Sequence, residues 1–210
     1  MSNGEMRPDL TSAAGVMTHL ASGNERQRSA YRALKQSGLM ELLAAYHPYP
    51  AGTVPIDIDV PGSDIDLLCE AEDLERFRAV VHQALGEMEG FQCTLVTRET
   101  GVSPYVVCSV STGGWPVEIF AQSMPVRQQN AYRHMLVEWA LLTHWGREGH
   151  KEIRRLKNKG MKTEPAFAYA LGLNGDPYAE LLNLADKSDE ELADLVRLRP
   201  VTSEKSQPPL

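Results

Sequence analysis

The 210-residue chain carries 21 Lys and Arg against 28 Asp and Glu, a formal net charge of -7, with 42% apolar and 23% charged residues, the balance of an ordinary globular protein. A chain of this length buries a core without help from disulfides or metal, in one domain or two small ones. Its acidic balance argues against non-specific binding to a nucleic-acid backbone, which relies on surplus Lys and Arg. No apolar run approaches the ~20 residues of a membrane span, so no membrane association is expected.

The first residues, Met1 to Asp9, lack the basic-then-apolar order of a secretory signal, so a cytoplasmic location is expected. Cys69, Cys93 and Cys108 are odd in number and sit in apolar stretches, so reduced core thiols are expected. Residues 1–22 are small, polar and weakly patterned and read as a flexible N-terminal segment. From Asn24, an N-cap, Tyr31, Leu34, Leu39, Leu42 and Leu43 recur at near-helical spacing until Pro48.

Residues 51–70 read as a strand or loop followed by a strand from Asp64 to Cys69, entered through the Pro61-Gly62 turn. A helix follows, with Glu72, Asp73 and Glu75 in its first turn and Leu74, Phe77, Val80, Val81 and Leu85 as its buried stripe. Phe91 to Arg98, Tyr105 to Val110 and Trp115 to Ala121 are β-rich, the last two joined by Ser111-Thr112-Gly113-Gly114, a hairpin turn. After Pro125 the pattern is helical: Val126 to Trp145, Lys151 to Lys159, a Pro165-initiated helix to Leu171, and short helices near Tyr178 to Leu184 and Asp189 to Leu195. The expected architecture is therefore α/β (α+β), a small mixed sheet flanked by helices and then a helical C-terminal half. Its divisions are a core over 23–123, a helical region over 124–198 packed on it, and a disordered tail over 199–210.

On a strand, side chains alternate faces, so Asp64 and Asp66 point one way while Ile65, Leu67 and Cys69 point into the core. Two carboxylates about 4 Å apart repel by about 4 kcal/mol at an effective dielectric of 20, which favours a hard cation, Mg2+ or Mn2+, between them. Glu118, between the core-facing Val117 and Ile119, offers a third carboxylate if its strand lies beside that of Asp64. Upstream, Gly52-Thr53 allows backbone N–H groups and a hydroxyl to approach triphosphate oxygens. The bland alternative for the pair is a wet strand edge.

Glycine and a small hydroxyl residue, about a dozen residues, then Ser63-Asp64-Ile65-Asp66-Leu67 resembles the signature of the polymerase-beta-like nucleotidyltransferase superfamily. The resemblance implies a nucleotidyltransferase-type sheet. It assigns phosphate contacts to Gly52 and Thr53, with Ser63 beside them, and metal to Asp64 and Asp66, with Glu118 as third acid. Gly52-Thr53-Val54-Pro55-Ile56, Pro116-Val117-Glu118-Ile119-Phe120, Gln129 to Met135 and Lys162 to Ala168 further resemble an uncharacterised bacterial branch catalogued as a domain of unknown function, over roughly residues 24 to 185. The sequence departs from the signature where Thr53 replaces the usual Ser, and where Val54-Pro55-Ile56-Asp57 lacks the Arg and Gly of antibiotic-modifying members. Asp57 and Asp59 are expected to point away from a triphosphate.

Lys162 precedes a helix N-terminus and either grips a triphosphate or is an ordinary exposed lysine. Gln129 and Arg133 share a helix face. His134 is more simply satisfied by Glu138 at i+4 than catalytic, and His19, His47, His82, His144 and His150 show no metal-ligand spacing. The basic run from Arg147 to Lys162 reads mainly as a solvated helix face. The implied function is transfer of a nucleoside monophosphate from an NTP, taken as ATP, to a hydroxyl of a small-molecule, protein or RNA acceptor. The alternative is a catalytically inactive nucleotidyltransferase-fold binding or regulatory module of antitoxin-like kind.

Overall fold

In the computed structural model, residues 8–97 and 103–199 are described. The expected strand end at Arg98 and the tail beyond Arg199 lie outside them. The chain divides into two compact units, one of residues 1–55 and 63–132, the other of residues 56–62 and 133–210.

The first unit opens with α1 (Ala13–Ser22), whose Ser12 cap accepts from the Gly15 N–H. This helix lies inside the stretch expected to be flexible. Its apolar face is small, with Val16 and Leu20 buried; Leu10, just before the helix, is also buried, and the Tyr49 hydroxyl donates to its carbonyl. Asn24 caps α2 (Glu25–Ser37) in a reciprocal box with Gln27, and Gly38 ends it in the left-handed conformation at φ 67°. The apolar spacing from Tyr31 to Leu43 thus covers two helices, the second being α3 (Leu39–Leu42).

A sheet follows, made of β1 (Tyr49–Ala51), β2 (Ile65–Glu70), β3 (Gln92–Val96), β4 (Tyr105–Thr112) and β5 (Trp115–Gln122), in the order β1-β2-β5-β4-β3. β2 and β5 are parallel and every other pair is antiparallel. Between β2 and β3 runs α4 (Leu74–Leu85), capped by Asp73 and burying Phe77, Val81 and Leu85. Ile65, Leu67 and Cys69 of β2 and Val117, Ile119 and Ala121 of β5 are all buried, which is the expected inward alternation. Gly113 and Gly114 turn the β4–β5 hairpin at φ 57° and 79°.

One expectation is corrected in the sheet. Cys93 and Cys108 stand opposite each other on β3 and β4 and form a disulfide, and only Cys69 is a free thiol, pushed up to about 12 by burial. Residue spacing could not show this, because the cross-strand register is a long-range property. At the end of the unit, Gln129 donates to the carbonyls of Cys69 and Met124, and the Val126 N–H donates to Glu70. Gln129, just before the helix whose face it was expected to share with Arg133, is therefore a structural tie.

The second unit is helical, with α5 (Asn130–Asn158), α6 (Thr163–Leu171), α7 (Pro177–Leu184) and α8 (Asp189–Leu198). The two helices expected over 126–159 form one element with a break at Gly146, at φ 63° and ψ -152°. Ile153, Leu156, Phe167 and Leu181 are fully buried. Asp57 ion-pairs with Arg154 inside this unit. No helix among the described residues is long and apolar enough to cross a membrane.

Phe77 is wholly buried on the inner side of α4, against Tyr46 at 4.7 Å between ring centroids. Phe77→Ala should lower unfolding free energy by about 3–5 kcal/mol through lost contacts and the cavity left behind. Urea denaturation checks this; a loss under 1 kcal/mol on that scale would place Phe77 outside the core.

Candidate active site

The parallel register of β2 and β5 puts Asp66 opposite Glu118, so both carboxylates rise from adjacent strands on one face. Ala51 of β1 lies opposite Asp66, and Ser109 of β4 opposite Glu118, which makes this level of the sheet small or polar across four strands. Two residues along, the same face carries Tyr49, Leu68, Phe120 and Val107. Tyr49 and Leu68 are buried there. The acids therefore stand at the border of an apolar row, where water is scarcer than at an open strand edge.

That border shows in the titration of Glu118. Burial raises its carboxyl above the ordinary value of 4.5, and the negative charge of Asp64 raises it further. Asp64 is half-buried immediately before β2, preceded by the half-buried Ser63. The structure thus brings Asp66 and Glu118 into register and Asp64 within electrostatic reach of Glu118. Among the described residues, no three His, Cys, Asp or Glu side chains form a ready-made metal cage.

The Gly52-Thr53 pair joins the acids directly. Gly52 follows β1 at φ 80°, and a Cβ on it would lie 1.8 Å from Asp66 Oδ2 and 2.9 Å from the carboxyl carbon. The Asp66 carboxylate occupies the space that any side chain at position 52 would need. Glycine is required twice, by the left-handed backbone and by this contact. Thr53, half-buried, opens the turn that follows.

The remaining candidates fall in the second unit. Lys162 is exposed at the N-cap position of α6, which starts at Thr163 rather than at Pro165. His134 does not pair with Glu138. Its Nε2 donates to the Tyr178 carbonyl at 3.0 Å and its Nδ1 faces Glu164 at 3.4 Å. Burial pushes Glu164 up, but the hydrogen bond from His134, a backbone N–H and the charges of His134 and Lys162 bring it below its ordinary value. Glu138 is buried with Oε1 unpartnered, and burial, aided by Glu164, raises its carboxyl well above the usual range. The i+4 spacing pointed to the wrong glutamate because the true partner comes from α6.

A mixed five-stranded sheet with acids at the parallel pair, a glycine turn packed on one of them and helices alongside defines the class of protein. The chain matches the family described as Domain of unknown function (DUF4269) over residues 32–184, and it belongs to that family. No curated protein matches it. Among solved structures it is similar to a Cid1 described as an RNA terminal uridylyl transferase, at 13% identity and a TM-score of 0.49, over 73% of this chain and 52% of that one. It is also similar to a Cid1 poly(U) polymerase with MgGTP bound, at 14% identity and 0.48, over 71% and 49%, and to a GLD-2/RNP-8 complex, at 12% and 0.38, over 91% and 71%. The chain spans about half the length of the Cid1 structures.

The raised Glu118 carboxyl fixes the sign of a pH effect. A carboxyl whose folded value exceeds its unfolded one binds protons on folding, so stability falls as pH rises through that window and stays lower above it. Glu118→Gln removes the penalty. The variant should melt above the wild type at pH 7, with the difference vanishing below the ordinary carboxylate value of 4.5. Thermal scans across pH check this, and a pH-independent difference would contradict it.

Proposed function

We propose that this protein is a metal-dependent nucleotidyltransferase, which moves a nucleoside monophosphate from an NTP, ATP in the first instance, to a hydroxyl of a small-molecule, protein or RNA acceptor. The observation that carries the reading is the three-way junction of Gly52, Asp66 and Glu118, with Asp64 beside it. A strand edge with surface acids has no need of a glycine moulded to one carboxylate.

Asp64 and Asp66 would hold Mg2+ or Mn2+, which when bound supplies positive charge to the triphosphate and to the leaving pyrophosphate. Gly52 leaves its peptide open to close approach by phosphate oxygens, and the Thr53 and Ser63 hydroxyls donate to them. The acceptor oxygen attacks the α-phosphorus, the bond to the β-phosphate oxygen breaks, and pyrophosphate leaves. Glu118 accepts the acceptor's proton. Its raised carboxyl is closer to neutrality than an ordinary glutamate, which improves it as a general base. These roles draw on the first unit alone.

Pyrophosphate release from Mg2+ and ATP across a panel of small-molecule, protein and RNA acceptors tests the reading. The double variant Asp64→Asn, Asp66→Asn should lose about a thousandfold or more in rate with its melting temperature retained. Turnover surviving in the double variant would overturn the assignment. Nucleotide binding by the wild type without pyrophosphate release from any acceptor would favour the binding module instead.

A further inference from the structure

Gln27 is buried to 3% exposure although its amide is fully polar, and each of its polar atoms is committed. Oε1 accepts from the Asn24 N–H at 3.0 Å, closing the cap of α2. Nε2 donates to the carbonyls of Val54 and Pro55, both at 3.1 Å. His19 of α1 adds a third bond, its Nε2 lying 3.0 Å from the Pro55 carbonyl. A carbonyl only accepts, so His19 Nε2 carries the proton in this contact; the same nitrogen lies 3.3 Å from Gln27 Nε2, whose two N–H groups point at the carbonyls. Val54 is 1% exposed and Pro55 is buried, so water is a poor substitute partner for these carbonyls.

A helix cap needs only Oε1. The two donor contacts run 27 and 28 residues along the chain, to the residues directly after Gly52-Thr53, and turn those carbonyls toward α2 and α1. Gly52 has no side chain to anchor itself, and at φ 80° its backbone is among the most permissive in the chain. Something else has to hold it against Asp66.

We propose that Gln27, assisted by His19, is a positioning residue that holds the Gly52-Thr53 turn in the conformation that receives the triphosphate. The inference rests on the nucleotidyltransferase reading above. The role assigned to Gln27 is exerted on the Val54 and Pro55 carbonyls, not on nucleotide or metal. Gln27 acts through the turn, and loss of its donors widens the set of conformations the turn samples, which weakens binding before it weakens folding.

The test uses the full chain, with Mg2+ and a non-hydrolysable ATP analogue titrated by calorimetry alongside thermal melts. Gln27→Glu keeps an oxygen for the Asn24 N–H but has no N–H for Val54 and Pro55, and should weaken affinity about tenfold or more. His19→Ala, at a half-buried position, should weaken it in the same direction by less, and it serves if Gln27→Glu does not fold. Asn24→Ala removes the other half of the cap while leaving the Gln27 donors in place. It should lower the melting temperature with affinity retained.

Wild-type affinity in both Gln27→Glu and His19→Ala would overturn the positioning role. So would an equal loss in Asn24→Ala, which would trace the effect to helix capping. A wild type that binds no analogue overturns the nucleotidyltransferase reading itself, an outcome distinct from either.

Discussion

Everything at the candidate site depends on one steric fact, that the Asp66 carboxylate sits where the Cβ of residue 52 would be. A Cβ 1.8 Å from Oδ2 would force the Asp66 carboxylate to turn away, so glycine at position 52 lets that carboxylate stand where it does. The register of β1 on β2 places Ala51 opposite Asp66, so Gly52 leaves the strand at that carboxylate. A slip of one residue would turn the acid face into the core and bring Ile65 and Leu67 to the outside.

The same arrangement explains why the site is electrostatically unsettled. The sheet brings Asp66 and Glu118 onto neighbouring strands, adds Asp64 nearby, and backs them with Tyr49 and Leu68. No lysine or arginine is in register with these acids across the four strands, whose facing residues are Ala51 and Ser109. Carboxylates held together at a partly dry level favour either a proton, as the raised Glu118 shows, or a cation.

The strands and their inward faces were legible because alternation is a local property. Ile65, Leu67, Cys69, Val117 and Ile119 read correctly from period two alone, and Gly113-Gly114 marked its hairpin. What escaped was set by distant partners. Cys93 and Cys108 meet through the β3–β4 register, His134 finds Glu164 on α6 instead of Glu138 one turn away, and α1 folds on two buried side chains too few to make a pattern. Asn24 could be recognised as a helix start. The second use of Gln27, on carbonyls near position 55, appears only once the chain is folded.

The central claim is that this acid junction receives a metal and a triphosphate together. Anomalous scattering from crystals grown with Mn2+ and a non-hydrolysable ATP analogue addresses it most directly. The account predicts a manganese peak at about 2.1 Å from carboxylate oxygens of Asp64 and Asp66, shared with phosphate oxygens lying along Gly52. Nucleotide bound with its metal away from both aspartates would contradict it.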